Sequence, residues 1–286
     1  MTKITKDTLT DVVLTTIADD TDARYREIMT ALIRHMHGFV KDVDLSQEEW
    51  LAAIKFLYQT GQKTTRQRNE FILLSDTLGI TSLIDLLSSQ ATEGTTESSV
   101  LGPFYVAGAP MIDNGGDLIG QNSGNCGVVR GRVMTVDGTL IPGALLEIWQ
   151  NASNGLYAVE DPDQADDNLR CRLHADTEGA YSFTTIRPMP YTVPDDGPAG
   201  IMLHAMGRHP WRPAHIHFRV SADGYQDLVT ELYPDDDRYI EEDAVFGVRD
   251  SLSVAFNRNG SNDDAKLYGL TAPFFDLTYD FVLRSA

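Results

Sequence analysis

Two hydrophobic patterns divide the chain. Up to about residue 90, apolar side chains recur at steps of three and four, which is the period of an amphipathic helix. Glycine is sparse there and proline does not occur. The spacing is clearest in one segment, whose apolar positions are Tyr25, Ile28, Met29, Leu32, Met36 and Phe39. The first third of the chain is therefore predicted to be helical.

Further helices are predicted after this segment. Ser46 and Glu49 have the spacing of a capping box, in which each side chain binds the other residue's backbone N–H. The helix that follows carries the apolar residues Trp50, Ile54 and Leu57. Two shorter helices are predicted over residues 66–78 and 81–88, with Gly79 between them.

Beyond a polar connection at residues 88–99, the pattern changes to short strand-like runs separated by turns, and all twelve prolines lie in this part. This pattern is typical of an antiparallel β-sandwich or barrel. We predict a mainly β protein, with a helical domain at 1–98 and an antiparallel β-sandwich domain at 99–286. The runs are VVRGRVMTV, DGTLIPG, ALLEIWQ, EGAYSFTTI, HIHFRVS, LVTELY, SLSVAF and YDFVL.

Composition narrows the function. The 286 residues include 23 Lys and Arg against 42 Asp and Glu, a net charge of −19, which excludes nucleic acid and disfavours an anionic membrane surface. Cys126 and Cys171 are the only cysteines, so any metal must be held by oxygen and nitrogen. The chain begins without a secretory-signal pattern and has no apolar run of the ~20 residues that span a bilayer. A cytoplasmic protein without membrane insertion is predicted.

The strongest local candidate for chemistry is His215-Ile-His217, because residues two apart on a strand share a face and two imidazoles can bind one metal ion. Two histidines on a solvated strand face are an equally good interpretation of this pair alone. A zinc hydrolase is a further alternative, although no third His or acidic ligand lies at nearby spacing. A cupin would need a Glu a few residues downstream, where Phe218 to Ala222 stand.

Two tyrosines in turn-rich contexts change the picture. The motifs WQ-x-x-x-NG-x-Y, ending at Tyr157, RP-x-PY, ending at Tyr191, and RPAHIH, from Arg212, follow one another within the β-rich region. In this order they resemble the intradiol ring-cleavage dioxygenases, non-haem ferric enzymes that open catechol-type rings between the two hydroxyls. The resemblance also covers the helical third and the link SSVLGPFY at 98–105.

The resemblance implies that Tyr157, Tyr191, His215 and His217 bind Fe(III). Two tyrosinates are hard, negatively charged donors that favour the ferric ion, and a bound cation removes their protons. The diol would chelate the iron, while Tyr191 leaves it and accepts a substrate proton. Arg212 would stabilise charge that develops on the ring; the alternative for Arg212 is an ordinary ion pair. At residue 231 a Glu stands where relatives usually carry Gln, so the role of Glu231 stays open.

The resemblance implies that residues 73–76, 100–103 and 243–248 roof the pocket. These segments look most like those of family members that act on hydroxyquinol, benzene-1,2,4-triol. The product would be 3-hydroxy-cis,cis-muconate, the tautomer of maleylacetate, formed with O2. Asp76 could accept a hydrogen bond from the third hydroxyl, or it could cap the helix that follows. The predicted substrate-binding residues are Leu73, Asp76, Val100, Leu101, Gly102 and Pro190.

Catechol or chlorocatechol is the alternative substrate, and a non-catalytic β-sandwich binding module with a helical dimerisation arm is the alternative from another class. The resemblance further implies a homodimer assembled through the N-terminal helices, with a phospholipid in an apolar channel at that interface. Apolar stripes on helices more often form an intramolecular core.

Overall fold

The computed structural model describes residues 3–65, 68–89 and 93–286. The chain divides into two compact units, Met1–Gln59 and Thr60–Ala286. The predicted domain boundary between residues 98 and 99 lies at another place in the sequence and stays a prediction.

The first unit is helical, as the hydrophobic spacing predicts. Asp22 accepts a hydrogen bond from the backbone N–H of Tyr25 and caps the second helix. Ser46 and Glu49 bind each other's backbone N–H at 3.2 and 2.9 Å, which confirms the capping box. The helices are α1 (Leu9–Leu14), α2 (Ala23–Asp42) and α3 (Gln47–Lys63), the last of which runs into the second unit.

Two helices open the second unit, α4 (Glu70–Thr77) and α5 (Ile80–Ser89), separated by Gly79 with a φ of 72°. Helix α4 begins at Glu70 because Asn69 accepts from two backbone N–H groups there. Residues 66 and 67 of the predicted helix, and 90–92 of the predicted connection, lie outside the described residues. In the described part of the chain, no single helix is long and apolar enough to cross a membrane; α4 and α5, bent by 71°, reach that length and composition only together.

The rest of the second unit consists of short strands and two short helices. The strands are β1 (Cys126–Met134), β2 (Leu145–Trp149), β3 (Arg170–His174), β4 (Ala180–Ile186), β5 (Tyr191–Thr192), β6 (Trp211–Arg212), β7 (Ile216–Ser221), β8 (Leu228–Pro234), β9 (Ser253–Val254), β10 (Asn257–Asn259), β11 (Phe274–Thr278) and β12 (Phe281–Val282). The helices are α6 (Pro198–Ala205) and α7 (Asn262–Leu267), and a 3-10 turn covers Asp250–Leu252.

These strands form two five-stranded sheets and a two-stranded ribbon. One sheet has the order β10-β11-β1-β12, with β4 also paired to β1; the other has the order β3-β2-β7-β8-β9; β5 and β6 form the ribbon. The predicted antiparallel pairing holds for most neighbours, but both large sheets are mixed, because β1 pairs in parallel with β11 and β12, and β8 pairs in parallel with β9. Turn signals predict hairpins between neighbours in sequence, and these parallel partners come from distant segments.

The two sheets share one hydrophobic core. The ring of Phe218, on β7, lies 6.2 Å from that of Phe183, on β4, and 4.9 Å from that of Phe281, on β12, between ring centroids. All three side chains are fully buried. The predicted runs at 137–143 and 251–256 form mainly turns instead, the first bridged only through Leu140 and the second reduced to the two residues of β9.

Candidate metal centre

Strand β7 positions the first two candidate ligands. It lies between β2 and β8, and the register places His217 opposite Trp149 on one neighbour and opposite Glu231 on the other. His215 directly precedes β7, and the two imidazole centroids lie 4.7 Å apart with their planes nearly perpendicular. Both rings are about 1% exposed, so the histidine pair is buried in the sheet and does not lie on a solvated face.

The two tyrosines reach the same place from loops. Gly155, with a φ of 83°, turns the chain after β2 toward Tyr157, whose hydroxyl lies 3.2 Å from Nε2 of His215. The ribbon of β5 and β6 pairs Tyr191 with Arg212. The ring of Tyr191 lies 5.5 Å from those of Tyr157 and His215, between centroids. The structure therefore brings together all four residues that the sequence motifs nominate as ligands.

The imidazoles have the electronic state that a metal ligand needs. Burial, reinforced for His215 by the charge of Arg212, lowers the pKa of His215 to about 3, and burial also lowers the pKa of His217 to about 4. Neutral rings therefore persist at physiological pH. Nδ1 of His215 lies 2.8 Å from the carbonyl oxygen of Pro213 and donates to it, which leaves the Nε2 lone pair toward Tyr157. Nε2 of His217 is buried with no hydrogen-bond partner among the described residues.

The tyrosines need a cation to ionise. Burial raises the pKa of Tyr191 to about 12 and raises that of Tyr157 well above its usual value. A bound metal ion supplies the charge that offsets this cost and displaces the phenol protons. The site thus offers two imidazole nitrogens, one of them without a hydrogen-bond partner among the described residues, and two buried phenol oxygens. This donor set fits a hard metal ion.

Glu231 also lies within reach of the histidines. One oxygen of Glu231 and one nitrogen of each of His215 and His217 fall within 4.8 Å of one another. The carboxylate oxygens, however, are occupied by donors, because Arg212 binds both of them and Ser99 donates to Oε2 at 2.8 Å. Burial opposes ionisation of Glu231, but attraction to Arg212 and the two histidines outweighs it and the pKa lies below its usual range. Glu231 is therefore an ionised partner of Arg212.

A cavity of about 410 Å³ opens beside this cluster. Tyr191 and Arg212 form part of its wall, and most of the remaining wall is apolar. Four predicted substrate-binding residues line it, namely Leu73, Asp76, Val100 and Gly102. The other two lie outside its described lining: Leu101, which is 42% exposed, and Pro190. A second, more open cavity of about 660 Å³ is lined by Arg208, Phe246 and Arg249 and contains none of the predicted ligands.

Helix α4 is anchored where it forms the cavity wall. The buried carboxylate of Glu70 accepts from the backbone N–H of Ala199, at the start of α6, at 3.1 Å. Arg208 binds the carbonyl oxygen of Thr77 at the other end of α4 at 2.5 Å. The side chain of Asp76 forms a hydrogen bond with Thr81, in the first turn of α5, while one buried oxygen, Oδ1, has no hydrogen-bond partner in the described structure. Burial raises the pKa of Asp76, against the lowering effects of Thr81 and Arg212.

Three further residues belong to the site that the motifs did not nominate. The ring of Phe104 stacks on that of Tyr157, with centroids 4.4 Å apart, and Phe104 also lines the cavity. Tyr233 and Ser99 both bind Glu231. The period of two along β8 places Glu231 and Tyr233 on one face, and this polar alternation in an apolar strand is the signal that could have identified Tyr233.

Comparisons with known proteins agree with this geometry. The family profile described as "Dioxygenase" matches residues 100–285, and the profile "Catechol dioxygenase N terminus" matches residues 22–96. The chain is 41% identical to a hydroxyquinol 1,2-dioxygenase of Rhizobium sp. (strain MTP-10005), over 96% of this chain and 93% of that protein. It is 43% identical to a 6-chlorohydroxyquinol 1,2-dioxygenase of Cupriavidus pinatubonensis, over 96% of each. The solved structure of hydroxyquinol 1,2-dioxygenase from Pseudomonas putida DLL-E4 superposes with a TM-score of 0.92 at 40% identity, covering 98% of this chain and 99% of that one.

Proposed function

Because the chain belongs to the intradiol ring-cleavage dioxygenases, we propose that it cleaves hydroxyquinol between its adjacent hydroxyls with O2. The product is 3-hydroxy-cis,cis-muconate, the tautomer of maleylacetate. Both atoms of O2 enter the product while one ring C–C bond breaks, so the reaction needs no external reductant. Such a step belongs to the breakdown of aromatic compounds.

The single observation that carries the substrate assignment is the unpaired oxygen of Asp76. This oxygen is buried in the wall of the cavity that Tyr191 and Arg212 also line. A triol has a third hydroxyl that can donate to it, whereas plain catechol leaves the oxygen without a partner, and an unpaired buried polar group is costly. Asp76 in this otherwise mostly apolar wall therefore favours the triol over the diol.

We assign Fe(III) as the metal, held by Tyr157, Tyr191, His215 and His217. When bound, ferric iron withdraws electron density from the chelated diol and makes its ring reactive toward O2. Two phenolate donors suit this hard, highly charged ion better than zinc. The phenolates would also colour the protein through charge transfer to the iron.

The two tyrosines have different roles, because they differ in access. Tyr191 lines the cavity, whereas Tyr157 is fully buried behind Phe104. Tyr191 is thus the tyrosine that an entering diol can reach, and its oxygen would accept a proton from a substrate hydroxyl. Because the pKa of the Tyr191 phenol is high, its phenolate is a strong base wherever no cation neutralises the charge. Arg212 donates a hydrogen bond where negative charge develops, and the apolar wall excludes water.

We further propose a homodimer built on the N-terminal helices of the domain at residues 1–98, with a phospholipid at its interface. Helix α2 exposes a stripe of apolar side chains along one face, and α3 exposes Trp50, Ile54 and Leu57. In α2 the residues are Tyr25, Ile28, Leu32, Met36 and Phe39, each 47–58% exposed. An apolar patch of this extent marks an interaction surface.

We propose that the protein is located in the cytoplasm. Its two free cysteines suit that reducing compartment.

The test combines a spectrum with a substrate comparison. The iron-loaded protein should show a broad visible band that shifts when hydroxyquinol is added without O2. Steady-state O2 consumption should give a higher kcat/KM for hydroxyquinol than for catechol or 4-chlorocatechol. A colourless iron-loaded protein would refute the metal assignment, and a clear preference for catechol would refute the substrate while leaving intradiol cleavage in place.

A further inference from the structure

The guanidinium of Arg212 is held on two edges by two buried carboxylates. Asp243 accepts from Nε at 3.0 Å and from Nη2 at 3.2 Å. Glu231 accepts from Nη1 at 3.0 Å and from Nη2 at 2.9 Å. An arginine has five N–H groups. Nη2 donates to the hydroxyl of Tyr233 as well, at 3.1 Å, so the N–H left for another acceptor is on Nη1.

The remaining N–H points into the metal centre. Nη1 lies 3.3 Å from Nε2 of His215, the unprotonated nitrogen that also faces the hydroxyl of Tyr157. A metal ion at that nitrogen takes the lone pair and leaves the Nη1 hydrogen without this acceptor. Since Arg212 lines the cavity, an oxygen of a bound substrate is the acceptor that replaces it.

Glu231 and Asp243 together form a clamp on Arg212, and further hydrogen bonds fix this clamp. Ser99 and Tyr233 both donate to Oε2 of Glu231. The carboxylate of Asp243 accepts from the backbone N–H of Val245 at 3.2 Å and of Gly247 at 2.8 Å. Each carboxylate is 6% exposed or less. The guanidinium therefore has little freedom to rotate.

The charges show how Arg212 can act. Two carboxylates form ion pairs with the one guanidinium, so little of the charge of Arg212 is left to attract an anionic diol over a long range. Its effect must come from one directed hydrogen bond, and direction depends on the clamp. We propose that Glu231 is a positioning residue that, together with Asp243, fixes Arg212 so that one N–H faces the substrate. This role of Glu231 rests on the proposed function, but only as far as the identity of the substrate is concerned.

The test uses the iron-loaded full chain with Glu231→Gln, Glu231→Ala, Arg212→Lys and the Arg212→Lys/Glu231→Gln double variant. Gln keeps one acceptor oxygen, so Glu231→Gln should lose about tenfold in kcat and Glu231→Ala about a hundredfold, with KM for hydroxyquinol changed by less than about threefold. If Glu231 acts through Arg212, the double variant should be no slower than Arg212→Lys alone. All variants should retain iron and the visible band.

Glu147→Gln is the matched control, because Glu147 is also a buried carboxylate bound by an arginine, Arg219, but lies outside the cavity lining. It should leave kcat unchanged. Loss of iron from Glu231→Gln would overturn the proposal, because Oε1 of Glu231 lies 3.1 Å from Nδ1 of His217 and Glu231 would then act on the metal centre and not through Arg212. Multiplying effects in the double variant or an unchanged kcat would also overturn it. If Glu231→Ala fails to fold, Glu231→Gln decides. If wild-type protein binds iron but does not turn over hydroxyquinol, the proposed function fails. In that case kcat and KM of the same variants, measured with catechol, still test the clamp.

Discussion

The indole of Trp149 lies parallel to the imidazole of His217, with ring centroids 4.7 Å apart and an angle of 7° between the planes. The register of β2 and β7 places the two residues directly opposite each other, so the sheet itself fixes this stack. Gly102 approaches the same imidazole from the cavity wall, where an added Cβ would lie 3.3 Å from Cε1. Packing thus holds His217 in place before any metal binds.

Trp149→Leu should weaken iron binding. It removes the stacked ring and leaves a void in a site where Trp149 is 2% exposed, a change that costs about 3 kcal/mol of stability in comparable cores. We expect iron to be lost to a chelator at least about ten times faster than from wild type. Trp149→Phe keeps an aromatic ring, so its rate of iron loss should lie between those of wild type and Trp149→Leu. Equal chelation rates for all three proteins would show that the stack does not orient His217.

Gly102→Ala should perturb the metal centre beyond its backbone cost. Gly102 has a φ of 70°, a conformation that costs a residue with a Cβ about 1–2 kcal/mol. Gly108→Ala is the control, since Gly108 has a φ of 81° but nothing within 4 Å of an added Cβ. Both variants should lose similar thermal stability, and only Gly102→Ala should shift the visible band and raise KM for hydroxyquinol. A spectral shift in the Gly108 variant as well would trace the effect to backbone strain.

Asp76→Asn should reduce substrate discrimination. The amide offers a weaker acceptor than the carboxylate, so kcat/KM for hydroxyquinol should fall by about tenfold or more while that for catechol changes little. Asp85→Asn on the neighbouring helix α5 is the control and should leave the ratio unchanged. Parallel losses on both substrates would remove Asp76 from the selection of the third hydroxyl.

Tyr157→Phe should abolish most of the charge-transfer colour and lower the iron content, because one of two phenolate donors is lost. Tyr181→Phe is a matched control, since Tyr181 is equally buried and donates to the carbonyl oxygen of Tyr279 in the core. Absorption spectra and metal analysis of both proteins after identical iron loading check this. A Tyr157→Phe protein with wild-type colour and iron content would contradict the ligand assignment.

Asp85 should make stability depend on pH. Burial, only partly offset by Arg249, raises its pKa to about 6, whereas an unfolded chain has a value of about 3.9. The folded state therefore favours the protonated acid, and this stabilisation is present below about pH 4 and is lost as the pH rises through 6. Asp85→Asn should raise Tm by about 2 °C at pH 7.5. At pH 4.5 the difference in Tm between Asp85→Asn and wild type should be smaller. An increase in Tm that does not depend on pH would show that the ionisation of Asp85 is not its cause.

Local signals predict local structure well in this chain. The capping box at Ser46 and the helical spacing around Tyr25 depend only on neighbours in sequence, and the structure confirms both helices. The family and the expectation of a hydroxyquinol-type substrate both came from motifs; the family is confirmed, and relatives of this chain include hydroxyquinol 1,2-dioxygenases. The parallel pairs of β1 could not be predicted, because no turn connects β1 to β11 or β12.

The clamp on Arg212 was out of reach for the same reason. Glu231 and Asp243 come from β8 and from the loop that follows it, and only the fold brings their carboxylates to two edges of one guanidinium. The sequence raised the choice between an ion pair and a site residue for Arg212. In the structure Arg212 both forms ion pairs and lines the cavity, so the alternatives are not exclusive.

The parallel pairing of β1 also has a consequence for how the protein is made. On the ribosome, β1 and β4 can pair early, but the other edge of β1 stays open until residues 274–282 have emerged. An unpaired edge flanked by the apolar side chains of Val129 and Val133 is a template for aggregation. Nascent chains of this protein should therefore depend on chaperones until residues 274–282 have left the ribosome.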